Sequence, residues 1–581
     1  MHHPKPPIGF SHFPEVIRKG YYYVDKSLLV RAVLDSPARV LLLPRPRRFG
    51  KTLNLSLLRT FFERGRPEHA GLFQGLAITR AGEEYMAHQG RYPVVFLTLK
   101  DVKEENWESC LAKLKYEIAA EFKRHRADLL ETDVLSASEK EDYESILSRK
   151  AEQVDYESSF KDLLTWLERA HGEQVVLLID EYDTPIHAGY QYGYYQAAVR
   201  FMRNWLGGAL KDHESLERGV LTGILRIAKE SIFSGFNNLR VEDILEPGPF
   251  ADKFGFTEAE VEKLLADCGL TDSLPDVREW YNGYRFGETT LYNPWSLVNF
   301  INDRTGGQRD GPPRPHWINT SENSLVFELI RDSGPAVGKG MEQLLRGGVV
   351  CSEIEDTLSL RDVGSREKSV WSLLLFSGYL KAVGQERWGE AILYQLQLPN
   401  REIRGFFLGV VNRVLEAHLE GSALRALFRA LMAGNVTAFE EHLQTLVMNL
   451  LSFHDTGAGQ GRKPEKRKPE AVYQSFVLGL LANLGEHYRI RSNIESGLGR
   501  ADILMVPKTD GKGTGGKRGI VMEFKRLRKG EKMERQLNLA LKQIQDKNYG
   551  SEMRAAGGPD ILALAIVFDG KRLRVRAGAD K

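Results

Sequence analysis

Two carboxylates and a lysine near the C-terminus have the spacing that metal-assisted phosphodiester hydrolysis needs. Asp502 heads the run ADILMV, and after a polar stretch Glu523 and Lys525 stand close together in GIVMEFKR. Side chains alternate across a β-strand, so Val521, Glu523 and Lys525 share one face while Ile520, Met522 and Phe524 share the other. Ionised groups on a buried strand need a partner or a metal, because unpaired desolvation is costly. Asp502 and Glu523 sharing Mg2+, with Lys525 beside the scissile phosphate, would meet that need and supply the chemistry. A plain Lys–Glu salt bridge at a sheet edge would meet it too, and EFK alone leaves both open. The upstream GRAD and an intervening hairpin loop favour the metal.

A second set of residues lies near the other end. LLLPRPRRFGKTLNLSLLRTFFE runs from an apolar strand, Val40 to Leu43, through a basic turn that includes Arg48 into a helix beginning near Lys51. Gly50, Lys51 and Thr52 fit the end of a phosphate-binding loop, in which backbone N–H groups cradle phosphates, lysine reaches the β/γ oxygens and the hydroxyl holds Mg2+. Arg45 replaces the usual first glycine, and Pro44 and Pro46 remove two N–H donors. The partner motif is QVVLLIDEYDTP, a continuous apolar run ending in Asp180 and Glu181. Such runs suit a strand covered on both faces of a parallel sheet, with ligands bound at its C-terminal end. Asp180 would assist the Mg2+ on Thr52, and Glu181 would polarise the attacking water. A helix-capping Asp180 is the plainer alternative. Two further runs, Val94 to Leu99 and Val220 to Leu225, complete a doubly wound α/β pattern. At the end of the latter strand Thr222 could sense the γ-phosphate, and Arg226 could neutralise transition-state charge or simply be a surface arginine.

ESGLGRADILMV and GIVMEFKR, followed by ALKQIQDKNYG, resemble the PD-(D/E)XK nuclease domain that ends a group of proteins with an AAA-ATPase-like N-terminal half. The resemblance implies that Asp502 and Glu523 bind the catalytic metal and that Lys525 orients water or stabilises the phosphorane. It also aligns Glu495 with an acid that often precedes the motif, and gives Gln543, Lys547 and Tyr549 substrate contacts beside an amphipathic helix from about Glu531 to Lys547. YYYVDKSLLV, RPRRFGKTLNLSLLRTFFE, LLIDEYDTPI, LTGILRIAKESIFSGFNN, WYNGYRFG and LYNPWSLVNF resemble the blocks of the AAA-ATPase-like family in their order. In that family arginine is usual in place of the first glycine. The implied nucleotide set is Arg48, Gly50, Lys51, Thr52, Asp180 and Arg226, with Glu181 catalytic, Thr52 and Asp180 on the metal, and Asp25 nearby. ATP and Mg2+ are the implied cofactors and nucleic acid the implied partner, with DNA ahead of RNA. Asn237, Asn238, Tyr281, Asn293 and Trp295 match family blocks without an evident mechanism.

The elements that must position these residues divide 581 residues into several domains. The expected fold class is α/β: a P-loop parallel-sheet ATPase domain (1–235), a helical lid (236–316), a winged-helix-like region (317–409), a helical region (410–453), a polar linker (454–470) and a restriction-endonuclease-like PD-(D/E)XK domain (471–581). Apolar content of 42% with 27% charged residues is globular, and a formal charge of +2 leaves nucleic-acid binding to local basic runs. Three scattered cysteines suggest neither disulfides nor a zinc site, and the histidines lack metal spacing. No membrane span or signal core is evident, so a cytoplasmic location is expected, with a nuclear one and homo-oligomerisation left open. The favoured function is a Mg2+-dependent nuclease coupled to a nucleotide-binding motor or switch. The alternatives are an ATP-switched nucleic-acid-binding regulator with an inactive nuclease fold and an interaction scaffold.

Overall fold

In a computed structural model of the chain the described residues are 5–226, 232–233, 236–306, 312–317, 326, 335–345, 347–355, 366–416, 421–456, 481, 484, 488–496, 499–507, 518–527, 530–547, 560–569 and 572–578. Two compact units emerge, one of Met1–Val337 with Val349–Arg404, the other of Gly338–Gly348 with Gly405–Lys581.

The first unit is built on a five-stranded sheet of β1 (Val40–Pro44), β2 (Val94–Thr98), β3 (Val175–Asp180), β4 (Leu216–Gly223) and β5 (Leu239–Val241), in the order β2-β3-β4-β1-β5. Every pairing in it is parallel. All of β1 and β3 is buried, as their uninterrupted apolar runs require of strands covered on both faces. Register sets Thr98 beside Asp180 and Leu43 beside Thr222, so the C-terminal ends of four strands finish at one level. The helix α1 (Lys51–Phe62) leaves β1 through the loop 45–50, with Gly50 as its N-cap at φ 80°.

Arg45, where a phosphate loop usually has glycine, is fully buried and turned away from the loop mouth. Its Nη1 donates to the carbonyls of Pro44 (2.8 Å) and Glu242 (2.5 Å), and its guanidinium lies over the rings of Phe254 and Phe286. Burial pulls its pKa down to about 10, against the raising influence of Asp243 and Glu242. Phe49 packs on Tyr284 and Phe286, and Pro46 sits so close to Gly378 (φ 87°) that a Cβ there would lie 2.8 Å from the proline. The loop is therefore held from outside the sheet.

Residues expected as a lid form α2 (Glu258–Asp267), α3 (Leu274–Tyr281), the hairpin β6 (Tyr284–Phe286) and β7 (Thr289–Leu291), and α4 (Pro294–Thr305) around a core that includes Val261, Leu264, Tyr281, Tyr292 and Leu297. A capping box at Thr257 and Glu260 starts α2, and Asn293 caps α4. Further on, in the region expected to be winged-helix-like, β8 (Val350–Glu353), α5 (Glu367–Phe376) and the hairpin β9 (Lys381–Trp388) and β10 (Ala391–Gln397) give a helix and a three-stranded antiparallel sheet. The helix α6 begins at Arg401.

In the second unit a mixed sheet runs in the order β11 (Tyr488–Ser496), β12 (Gly499–Pro507), β13 (Gly519–Arg526), β14 (Ile561–Asp569), β15 (Arg572–Gly578), with only β13 and β14 parallel. Alternation gives it two apolar faces. Ile503, Met505, Ile520, Met522, Phe524 and Ile566 share a core with α7 (Gly421–Ala433) and α8 (Val436–Thr456). Leu504, Val521, Ala565 and Val567 face α9 (Met533–Asp546). The helix pair expected as a region of its own thus supplies one covering layer of the sheet, because an apolar face must be buried by something. The first residues of the expected linker continue α8 to Thr456, while 457–470, the polar stretch 508–517 and Tyr549 lie outside the described residues. Leu443, fully buried in α8 against the sheet, tests this layering. Leu443→Ala should cost the C-terminal unit about 2–5 kcal/mol in urea unfolding, where a helix pair unattached to the sheet would give a loss near zero.

Candidate active sites

The sheet order of the first unit places β4 between β3 and β1, so the acid after β3 and the loop after β1 face each other across the end of β4. Asp180, fully buried, accepts hydroxyl hydrogen bonds from Thr52 (2.7 Å), Thr222 (2.8 Å) and Thr98 (3.2 Å). Burial raises its pKa, and neighbouring Glu181 raises it further, while the Thr52 and Thr222 hydroxyls oppose the rise. The helix-capping role for Asp180 is not what the structure shows. Lys51 donates to the carbonyls of Arg45 (3.2 Å) and Pro46 (3.3 Å), and its Nζ lies 3.6 Å from Glu181 Oε1. Glu181 takes φ 55° and Arg48 φ 67°, uncommon for residues with a Cβ. Gly50 caps α1 without a side chain, and Gly50, Lys51, Thr52 and Glu181 line a cavity of about 510 Å3 at this helix N-terminus, where backbone N–H groups suit an anion. Thr52 and Asp180 are hard oxygen donors of the kind Mg2+ takes.

Several residues around this site belong to no recognisable motif. Asp183 is buried and accepts from the amides of Ile224 (2.8 Å) and Leu225 (3.0 Å), fixing the backbone that leads into Arg226. Burial alone would raise its pKa, yet His187 and those amides hold it below the usual value. Glu402, at the start of α6, is fully buried and accepts from the amides of His316 (2.5 Å) and Trp317 (2.7 Å) and from Ser296 Oγ (2.8 Å). Burial raises it to about 7 against these donors. Trp317 in turn donates its indole N–H to the carbonyl of Arg47 (3.2 Å), and the Arg48 guanidinium stacks 4.3 Å from the Trp295 ring. Asp25 serves the fold: it accepts from the amides of Ser27 and Ala77. Tyr281 is a packing residue whose hydroxyl reaches the carbonyl of Arg314, and Asn238 donates to the carbonyl of Leu210.

In the second unit, Asp502, Glu523 and Lys525 stand on the α9 face of the sheet, since they alternate with residues of the opposite core and keep step with Leu504 and Val521. The antiparallel register Ile503↔Met522 sets Asp502 opposite Glu523 one step further along. There the Asp502 carboxylate accepts the Phe524 amide at 2.8 Å. Lys525 donates to Glu523 Oε1 at 2.7 Å, so the Lys–Glu salt bridge weighed from sequence is present, but Glu523 is only 2% exposed while Lys525 reaches the rim at 27%. The other oxygen, Glu523 Oε2, is buried with no hydrogen-bond partner among the described residues. Burial and then the charge of Asp502 raise the Glu523 pKa to about 7, with Lys525 opposing. An acceptor left unmatched beside a second carboxylate fits a hard divalent cation. Among the described residues no three His, Cys, Asp or Glu side chains are grouped for a metal. Glu495 pairs through its backbone with Arg500, two residues before Asp502. Gln543 lies half-buried on α9 beyond Ala540, and Lys547 is exposed at its C-terminal end.

Residues 7–233 match the family model described as predicted AAA-ATPase, and residues 468–577 match that of the PD-(D/E)XK nuclease superfamily. A protein known as "Uncharacterized protein in vnfD 5′ region" of Azotobacter chroococcum mcd 1 is 28% identical over 407 residues, covering 70% of this chain and 69% of its own. A Walker-type ATPase of Pyrococcus abyssi is similar at 13% identity with a TM-score of 0.37, covering 70% of this chain and 99% of its own. Among the described residues no helix is long and apolar enough to cross a membrane. The chain accordingly joins an N-terminal domain of the AAA-ATPase-like family to a C-terminal domain of the PD-(D/E)XK nuclease superfamily.

Proposed function

We propose that the chain is a Mg2+-dependent nuclease, acting on DNA in preference to RNA, whose action is coupled to ATP bound at the phosphate loop. The observation that carries the reading is the convergence of Asp502, Glu523 and Lys525 on one sheet face with a buried carboxylate oxygen left without a partner. Nothing in sheet packing alone requires two carboxylates and a lysine to meet there. When bound, Mg2+ supplies polarisation of a phosphoryl oxygen and a more acidic water. Asp502 and Glu523 would hold it. The Phe524 amide fixes the Asp502 carboxylate, and β14 sets Ala565, which packs on α9, beside Glu523. Lys525, at the rim, presents its ammonium where the charge of a phosphorane would develop. At the other site Thr52 and Asp180 would hold the nucleotide's Mg2+, Lys51 its terminal phosphates, and Glu181 the attacking water, with Arg48 and Arg226 at the periphery. The Lys51–Glu181 approach would part as phosphates enter between them.

Cleavage of labelled DNA and RNA in Mg2+ or Mn2+, with and without ATP, tests the nuclease. Asp502→Asn and Lys525→Ala should each lower the rate by about 100-fold or more, while Lys525→Ala keeps metal binding by calorimetry. A folded wild type that binds nucleic acid and cuts none of these substrates would favour the ATP-switched binding protein instead.

The raised Glu523 carboxyl gives a pH signature with a definite sign. Its proton is favoured by the fold, so its stabilising effect is complete below the unfolded value near 4.5 and is lost as pH climbs through about 7. In EDTA the C-terminal unit should therefore lose about 3 kcal/mol between pH 5 and 8 from this group. Glu523→Gln should abolish that slope in thermal melts, and a variant with the wild-type slope would refute the assignment.

For the nucleotide site, Lys51→Ala should weaken ATP binding by about tenfold or more, whereas Glu181→Gln should bind ATP as wild type does and lose turnover. Equal affinity in wild type and Lys51→Ala would remove the phosphate-loop assignment.

A further inference from the structure

The loop 45–50 has little in its own sequence to fix its shape. Arg45 stands where a glycine is usual, and Pro44 and Pro46 offer no N–H. Arg48 holds a left-handed backbone at φ 67°, which a residue with a Cβ keeps only when its surroundings impose it. Two consecutive loop residues are gripped by tryptophans. The Arg47 carbonyl accepts the indole N–H of Trp317 at 3.2 Å, and the Arg48 guanidinium lies 4.3 Å from the Trp295 ring. The tryptophans belong to different segments, Trp295 to the first turn of α4 and Trp317 to the stretch 312–317. Trp295 ties the two together, its indole N–H donating to the His316 carbonyl at 3.3 Å.

Both tryptophans lead back to Glu402. One of its oxygens, Oε1, accepts the amides of His316 and Trp317, and the other, Oε2, accepts the hydroxyl of Ser296, the neighbour of Trp295. A single buried carboxylate thus fixes the chain beside each tryptophan. Tyr281 and Asn293, which match family blocks, steady the same two segments. The Tyr281 hydroxyl donates to the Arg314 carbonyl at 2.8 Å, and the Asn293 side chain accepts the Ser296 amide at 3.2 Å. The Trp317 ring packs 4.9 Å from Tyr379. All of these residues lie in the first compact unit. Glu402 is not among the residues that line the cavity, so its effect on a ligand there has to pass through the loop.

Resting on the phosphate-loop reading above, we propose that Glu402 is a positioning residue for that loop: acting through Trp317 and Trp295, it sets the backbone at Arg47 and Arg48 in the form that presents Lys51 and the first amides of α1 to phosphate. The shape that glycine and free amides give a usual loop is here supplied by an acid far along the chain. Its contribution is preorganisation. A loop already in the binding form draws none of the ligand's binding energy into ordering it, so loss of the brace is read as loss of affinity.

Calorimetric titration of the full chain with ATP in Mg2+ reads the loop, and thermal melts read the fold. Trp317→Phe keeps an aromatic ring against Tyr379 and removes the N–H that reaches Arg47, and it should weaken ATP about threefold or more. Glu402→Ala should weaken it about tenfold or more, and Glu402→Gln, which keeps a carbonyl oxygen for the two amides, should recover most of that loss. Because the acid acts partly through Trp317, the double variant Glu402→Ala/Trp317→Phe should lose less than the product of the single losses. Leu163→Ala, a buried change away from the cavity, controls for stability: it should lower the melting temperature and leave the affinity of the folded protein as in wild type. If Glu402→Ala does not fold, Trp317→Phe decides alone. Wild-type affinity in Trp317→Phe, a Glu402→Gln as weak as Glu402→Ala, or losses that simply multiply would overturn the positioning role while Lys51→Ala still weakens binding. Unchanged binding in Lys51→Ala would instead overturn the phosphate loop, and the positioning role with it.

Discussion

Taking an ionisable group out of water is expensive, and four such groups in or around the two sites call for specific partners. Asp180 is met by three threonine hydroxyls from three different elements, and Arg45 by carbonyls and aromatic faces. Glu402 is met by two amides and a serine. Each match draws together segments far apart in sequence, so the cost of burial becomes the means of fixing geometry. Glu523 is the exception, with one oxygen matched by Lys525 and the other by nothing among the described residues.

The parallel sheet converts these local matches into a site. With β4 between β3 and β1, the hydroxyl of Thr222 stands where it can bind the acid of one neighbour while the loop of the other closes over it. The second unit does the same with fewer parts. A single antiparallel register brings Asp502 level with Glu523, and the helices on both faces keep the strands from slipping, since a shift by one residue would send both carboxylates into the opposite core.

Much of this was legible in the sequence because it is local. Uninterrupted apolar runs gave β1, β2, β3 and β4, and period-2 alternation put Glu523 and Lys525 on one face. What stayed hidden depends on contacts that span long stretches of chain. Nothing near Arg45 says that it turns inward, since its partners lie at Glu242 and Phe254. No local pattern marks Thr98, Asp183 or Glu402, whose partners lie at Asp180, at Ile224 and Leu225, and at Ser296, His316 and Trp317. The helix pair α7–α8 was visible as helices but not as the second layer of the sheet, because amphipathic periodicity names a buried face without naming what buries it. One clue was available: a sheet apolar on both sides with one helix after it still lacked a cover.

The placement of Trp295 and Trp317 has a spectroscopic consequence. One indole lies under the guanidinium of Arg48, and the N–H of the other is bound to the carbonyl of Arg47, so both report on adjacent residues of the loop that faces the cavity. Indole emission responds to nearby charge and to hydrogen bonding at its nitrogen. The chain has eight tryptophans, so replacing these two singly by phenylalanine isolates their share of the signal and turns the loop into its own optical probe, without a dye or a labelled nucleotide.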